Sequence, residues 1–219
     1  MHIFRENVML LYVLRHGETH WNKIHRLQGR SDIPLNENGI KLAEMTAEGL
    51  KDVAFDLCIS SPLIRAQETA KIVLGGRKIP FILDDRIQEI SFGEYEGKYI
   101  MPDGKNITDP KYLKFRSAPF EFEGMPGGES IQELICRANL FLDELIQKKE
   151  YQDKTILLST HGCLYRGILN RFYENPSDFW QNGVPRNCSV SVLEIKNKKP
   201  EIIKSDILFY DPTEMEKAL

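Results

Sequence analysis

The sequence predicts an α/β fold, a mostly parallel sheet covered by helices. Short apolar runs alternate with amphipathic stretches along the whole chain, and 219 residues, 42% hydrophobic and 28% charged, suffice for a sizeable core in one unit of this class. One domain over residues 1–219 is the expectation.

The elements follow in order. Val8 to Leu14 is a run of seven apolar residues with no small-residue cleavage site behind it, so it reads as a buried strand rather than a leader or a membrane span. In "SDIPLNENGIKLAEMTAEGLKD" Asn36 suits a helix N-cap, and Ile40, Ala43, Ala47 and Leu50 fall on one face. "FDLCIS" reads as a second strand. It runs into "SSPLIRAQETAKIVL", where Ser61 suits a cap and Pro62 the first helical turn. "IPFIL" resembles a third strand. "GESIQELICRANLFLDELIQKK" is a long amphipathic helix with Ile131, Leu134, Ile135, Ala138, Leu142 and Leu145 at helical spacing. "TILLST" is a fourth strand, again followed by helix, and "SVSVLEI" and "EIIKSDIL" are two more joined by the turn "KNKKP". The segment from Tyr95 to Gly128 breaks this alternation. Rich in Pro, Gly, Lys and aromatic residues, it is either a cap over a site or a surface insertion.

A net charge of −3 provides no broad field for nucleic acid or an anionic membrane, so any anion site must be local. Cys58, Cys136, Cys163 and Cys188 lack paired spacing, which argues against a disulfide framework or a zinc site and for a reducing, cytoplasmic setting.

The chemistry begins where two strands end. "LLYVL" runs into Arg15-His16-Gly17 and "ILLST" into His161-Gly162, which places both histidines at carboxyl ends of parallel strands, the edge where open α/β sheets bind ligands. A third strand leads to Arg65 on the first turn of its helix. Two guanidiniums and two imidazoles near helix N-termini suit a dianionic phosphate. Taken singly, each has a blander reading: a loop histidine or a surface ion-pair partner. His2, His20 and His25 belong to that background. Other phosphate chemistries lack their spacing. No Gly-rich loop ends in Lys-Ser/Thr, and the six residues between Cys58 and Arg65 are one too many for a cysteine-phosphatase loop. Cys58 and Cys163 read as core packing, and no metal-ligand cluster stands out.

The blocks "RHGETHWN", "LQGRSDIPLNENG", "SSPLIRAQETA", "QEISFGEYEG", "PGGES" and "STHG", in this order from Leu11 to about Asn187, resemble the histidine phosphatase superfamily, which includes cofactor-dependent phosphoglycerate mutases and broad-specificity phosphatases. The resemblance implies a three-layer α/β/α sandwich with an inserted cap at residues 95–128, and a metal-free, cofactor-free site that forms a phosphohistidine. It implies that His16 is the nucleophile and that Arg15, Arg65 and His161, with Gly162, bind the phosphate. Asn22 and Gln28 become further polar contacts and Glu89 the general acid.

Physical logic supports these roles. A neutral imidazole attacks phosphorus in line if its other nitrogen donates to a fixed acceptor, and a carbonyl of the "HGE" turn is within reach. Charge on the phosphoryl oxygens calls for preorganised donors, here Arg15, Arg65 and an imidazolium at His161. The alkoxide leaving group needs a proton, so Glu89 must be tuned by burial and by the phosphate itself. From spacing alone Asp84, Asp85, Glu94 and Glu96 compete with it.

The cap carries Lys98, Lys105, Lys111, Lys114 and Arg116 but no adjacent-arginine pair of the mutase kind, and "HGCLYRG" departs from the mutases' "HGNSLR". The expected activity is therefore phosphomonoester hydrolysis, with Tyr95, Tyr112, Phe115, Phe120 and Phe122 either touching a less polar part of the substrate or anchoring the cap. A phosphoglycerate mutase or sugar-bisphosphate phosphatase is the alternative enzyme, and a phosphate-ligand sensor or scaffold the non-enzyme one. The expected partner is a small phosphate ester, with neither nucleic acid nor membrane; a homo-oligomer stays open.

Overall fold

A computed structural model describes residues 8–99, 109–181 and 183–213; His2 and Lys105, named above, lie outside them. In chain order the regular elements are β1 (Val8–Arg15), α1 (His20–Lys23), α2 (Glu37–Gly49), β2 (Leu57–Ser60), α3 (Ile64–Leu74), β3 (Phe81–Leu83), α4 (Pro110–Ser117), α5 (Ile131–Gln147), β4 (Thr155–Thr160), α6 (Gly162–Leu169), β5 (Val190–Lys196) and β6 (Lys199–Ile207). The six strands form one sheet in the order β3-β2-β4-β1-β5-β6. The pairs β1–β4, β2–β4 and β2–β3 are parallel. β5 runs antiparallel to β1, and β6 antiparallel to β5. The β5–β6 hairpin turns on Asn197 and Lys198, with φ of 51° and 63°, the left-handed pair that a tight two-residue turn requires.

The central strands are buried on both faces, so they read as continuous apolar runs rather than alternating ones. Met9, Leu11, Val13, Leu57, Ile59, Ile156 and Leu158 pack with Leu134, Phe141 and Leu164 of α5 and α6. The intervening Leu14, Cys58 and Leu157 pack with Ala70, Val73 and Leu74 of α3 on the other face. Period-2 side chains thus feed two cores, which makes the three layers.

Several local readings shift. Asn36 caps α2, accepting from the Gly39 N–H at 2.8 Å, but Ile40 is 41% exposed and the buried face carries Gly39, Leu42, Ala43 and Thr46. The cause lies at Gly39: a Cβ there would sit 2.0 Å from the Glu18 carbonyl oxygen, so the helix packs by its glycine against the turn after β1. Ser61 does not cap α3; the Asp32 carboxylate takes the Ile64 N–H at 2.6 Å. On α5, Phe141 and Ile146 join the buried face and Ile135 is only partly covered, while Ser130 and Glu133 form a capping box.

In the segment at 95–128, α4 and a 3-10 turn at Pro119–Glu121 bring aromatic rings onto the core. The Phe115 ring lies 5.1 Å from Phe92, 5.2 Å from Phe122 and 5.0 Å from Trp180. Among the described residues no helix is long and apolar enough to cross a membrane.

Candidate active site

Parallel pairing places the two histidines side by side. Arg15 is in register with Thr160, so His16 and His161 leave adjacent strands together, with ring centroids 5.2 Å apart. Both are buried, at 3% and 0% exposure. Ser60 pairs with Ser159, which brings the Ser61 hydroxyl to 2.8 Å from His161 Nε2.

His16 Nδ1 lies 2.6 Å from the Gly17 carbonyl oxygen, an acceptor only. The proton therefore sits on Nδ1, and Nε2 keeps its lone pair. Burial and the Arg65 and Arg15 guanidiniums hold this imidazole well below its ordinary value of 6.5, so it is neutral. Its main chain is tied on both sides: the amide donates to Thr160, and the carbonyl accepts from Cys188 N–H at 3.3 Å and Asn187 Nδ2 at 3.0 Å. Gly17 has to be glycine, since a Cβ would lie 2.6 Å from the Gly39 carbonyl oxygen.

His161 departs from the imidazolium expected of it. Burial and the neighbouring Arg65, His16 and Arg15 keep it neutral in the free protein. Ser61 Oγ accepts the Leu63 N–H at 3.3 Å and meets His161 Nε2 at 2.8 Å, as donor or acceptor according to the tautomer of the ring. The other ring nitrogen, Nδ1, is a buried atom without a partner.

Arg65 is fully buried; its Nη1 and Nη2 donate to the carbonyls of Ser31 at 2.8 Å and Gly29 at 2.7 Å, and its Nε has no partner. Burial pushes it down to about 10, still charged at neutral pH. Arg15 Nη1 donates to the Pro185 carbonyl, and its buried Nε is also unpartnered. Gly162 lies against the same guanidinium and against Val184: a Cβ there would be in ordinary contact with Arg15 Nε at 3.5 Å but only 2.9 Å from the Val184 side chain. Two guanidinium Nε–H donors and one imidazole nitrogen are thus without partners beside His16. Unpaired buried donors are costly, and a compact anion in the cleft that Arg15 and Arg65 line would relieve them.

Asn22 and Gln28 both line this cleft and both spend their carbonyl oxygens on Thr19, Asn22 on its N–H at 3.1 Å and Gln28 on its hydroxyl at 2.9 Å. Glu89, 9% exposed, enters from the opposite side. Its Oε1 accepts the amides of Ile90 at 2.9 Å and Leu164 at 3.2 Å, and its Oε2 that of Cys163 at 3.1 Å. The competing carboxylates do not line the cleft. Asp84 pairs with Arg86 at 2.7 Å, and Asp85 accepts from Gln88. Glu96 accepts from Arg30 N–H at 2.9 Å, Phe92 N–H at 3.2 Å and the Ser31 hydroxyl at 2.7 Å, which anchors the loop whose carbonyls grip Arg65. At Gly29, φ is +53° and a Cβ would lie 2.3 Å from Glu96 Oε1. His20 and His25 are exposed.

The cleft encloses about 120 Å³, and its outer wall is formed by Phe92, Tyr112, Phe115, Arg116 and Arg26. Arg26 was not among the expected residues; its guanidinium stacks 4.4 Å from the Tyr99 ring centre. Of the five cap aromatics named from sequence, only Tyr112 and Phe115 reach the cleft. Among the described residues no group of three or more His, Cys, Asp or Glu side chains is placed to hold a metal ion.

A model of the histidine phosphatase superfamily (branch 1) matches residues 11–207. The chain is 33% identical, over 85% of its own length and 85% of the relative's, to the "Probable phosphoglycerate mutase GpmB" of Yersinia pestis (strain Pestoides F). Bacillus stearothermophilus YhfR superposes with a TM-score of 0.82 at 31% identity, covering 91% of this chain and 97% of that one. A mutant phosphoserine phosphatase from Entamoeba histolytica, solved in complex with phosphoserine, does so at 0.75 and 29%, covering 90% and 96%.

Proposed function

The chain belongs to the histidine phosphatase superfamily, and from that premise we propose that it is a metal-independent phosphomonoester phosphatase that acts on a small phosphorylated metabolite through a phosphohistidine at His16. The observation that carries this reading is the set of unpartnered buried nitrogens, Arg15 Nε, Arg65 Nε and His161 Nδ1, beside an imidazole whose Nε2 lone pair is free. In the first step His16 Nε2 bonds to phosphorus as the bond to the ester oxygen breaks, and Glu89 gives its proton to the departing alkoxide. That proton is taken up as the doubly charged ester arrives beside the carboxylate, since adjacent negative charges share one. In the second step Glu89 takes a proton from water, whose oxygen bonds to phosphorus while the P–N bond breaks. Inorganic phosphate leaves, and His16 is neutral again. Arg15, Arg65 and His161, with Gly162 beside them, hold the phosphoryl oxygens in both steps; Asn22 and Gln28 add polar contacts. Residues 95–128 act as the cap against which the alcohol portion rests.

Phosphate release from a panel of phosphomonoesters, with chelator present, tests this against a His16→Ala variant. Chelator-resistant turnover that vanishes in the variant supports the reading; turnover that survives it removes His16 from the nucleophile role. The similarity to a probable phosphoglycerate mutase and the two guanidiniums on the cleft wall, Arg26 and the cap's Arg116, favour a second reading, a phosphoglycerate mutase or bisphosphate phosphatase. Isomerisation of 3-phosphoglycerate without net phosphate release would select it.

A further inference from the structure

From Arg86 to Glu89 every carbonyl of the segment that carries the acid is taken, that of Glu89 also by Arg30 Nε at 3.4 Å. Arg137, on α5, donates from Nη1 to the carbonyls of Arg86 at 2.7 Å and Gln88 at 2.8 Å, and from Nη2 to that of Glu89 at 3.5 Å. Thr160, the last residue of β4, donates its hydroxyl to the Ile87 carbonyl at 2.9 Å. The other edge of the Arg137 guanidinium is closed by Glu129, with Nε on Oε1 at 2.9 Å and Nη2 on Oε2 at 2.6 Å. Glu129 is itself held by its amide on the Ser91 carbonyl at 2.8 Å and is reached by Arg30 at 3.4 Å. The ion pair is largely buried, with side chains 17% and 12% exposed. Neither member lines the cleft.

We infer that Arg137, locked by Glu129, is the positioning residue for Glu89: its planar fork grips the main chain at Arg86 and Gln88, just before the acid, reaches the acid's own carbonyl, and so sets the carboxyl group against the phosphate site. The inference rests on the proposed role of Glu89 as proton donor. The physical reason is reach. The Glu89 oxygens meet the Cys163 and Leu164 amides at 3.1–3.2 Å, and a displacement of about 1 Å takes a proton donor out of its productive geometry. A lysine in place of Arg137 keeps the charge but cannot span two carbonyls and a carboxylate at once.

Leaving-group dependence tests this, because an alkyl phosphate needs a proton on its departing oxygen and p-nitrophenyl phosphate hardly does. For Arg137→Lys, kcat on an alkyl phosphate is expected to fall about tenfold more than kcat on p-nitrophenyl phosphate, with little change in either KM. Glu129→Gln should shift the ratio in the same direction by a smaller factor, and it decides the question if Arg137→Lys does not fold. Glu89→Gln sets the limit: combined with Arg137→Lys it should lower the ratio no further. Parallel losses on both esters, a rise in KM alone or an unchanged ratio would each show that Arg137 merely supports the fold, and would overturn the inference. If Glu89→Gln itself leaves the ratio untouched, the proton-donor reading fails first and the inference falls with it.

Discussion

Two arginines, the fully buried Arg65 and the largely buried Arg137, live by opposite rules. Arg137 has every guanidinium nitrogen engaged, partly by a carboxylate. Arg65 has no carboxylate on its fork; it holds two backbone carbonyls and leaves its Nε empty. Burying a charge costs several kcal/mol unless it is paired. Arg137 is paired and so can serve as a brace, whereas Arg65 has only carbonyls on its fork, feels the charges of Glu89, Asp32 and Glu96 without bonding to them, and keeps its Nε open for an anion. Spare donor capacity on a buried cation therefore separates the region that waits for a ligand from the region that holds it in place.

Substitutions can break this contrast, beginning at the ligand region. His16→Ala should lower phosphate release at least about a thousandfold while thermal unfolding stays near that of the unaltered protein. Arg65→Gln should cost about 3–4 kcal/mol of transition-state stabilisation and weaken inhibition by inorganic phosphate. Arg137→Met should do the reverse, losing about 3 kcal/mol of unfolding free energy because Glu129 is left buried with only the 3.4 Å contact to Arg30, with phosphate inhibition retained. Should both variants lose phosphate affinity and stability alike, the distinction between the two arginines is wrong.

The two histidines sharpen the comparison through pH. Both are held well below 6.5 in the folded protein, and that is close to their value in the unfolded chain. Above 6.5 neither state binds the extra proton and no stability depends on it. Below it, only the unfolded chain takes protons up, so stability falls with pH, by up to roughly 3 kcal/mol per unit for the pair. Urea midpoints measured from pH 7.5 to 5 should show this slope, reduced in His16→Ala; a flat profile would mean the imidazoles are not held neutral. The smallest effect is expected at the loop beneath Arg65. Gly29→Ala should destabilise by about 1–2 kcal/mol through its left-handed backbone and raise KM as the Gly29 carbonyl shifts. Calorimetry alongside initial rates checks both.

Much of the fold was legible because its signals are local. Apolar runs ending in Arg15-His16-Gly17 and His161-Gly162, the Asn36 cap and the turn at Asn197 each depend on a few neighbouring residues. The failures have one cause. The α2 face was misjudged at Ile40 because a glycine contact with another element, not hydrophobicity, decided which side turned inward. An imidazolium is the expectation for His161, yet burial first, and then the Arg65, His16 and Arg15 that converge on it in space, hold it well below its ordinary value.

What the sequence determined by itself is the pair of histidines at parallel strand ends and the tautomer of His16, whose acceptor is the very next residue. What only the tertiary structure decided is which carboxylate enters the cleft and which arginines hold or wait. Glu89 meets amides 74 and 75 positions away, Arg65 carbonyls 34 and 36 away, and Arg137 carbonyls 48 to 51 away. A carboxylate or a guanidinium carries no role of its own: its role is set by which donors and acceptors surround it, and those arrive only when the layers close.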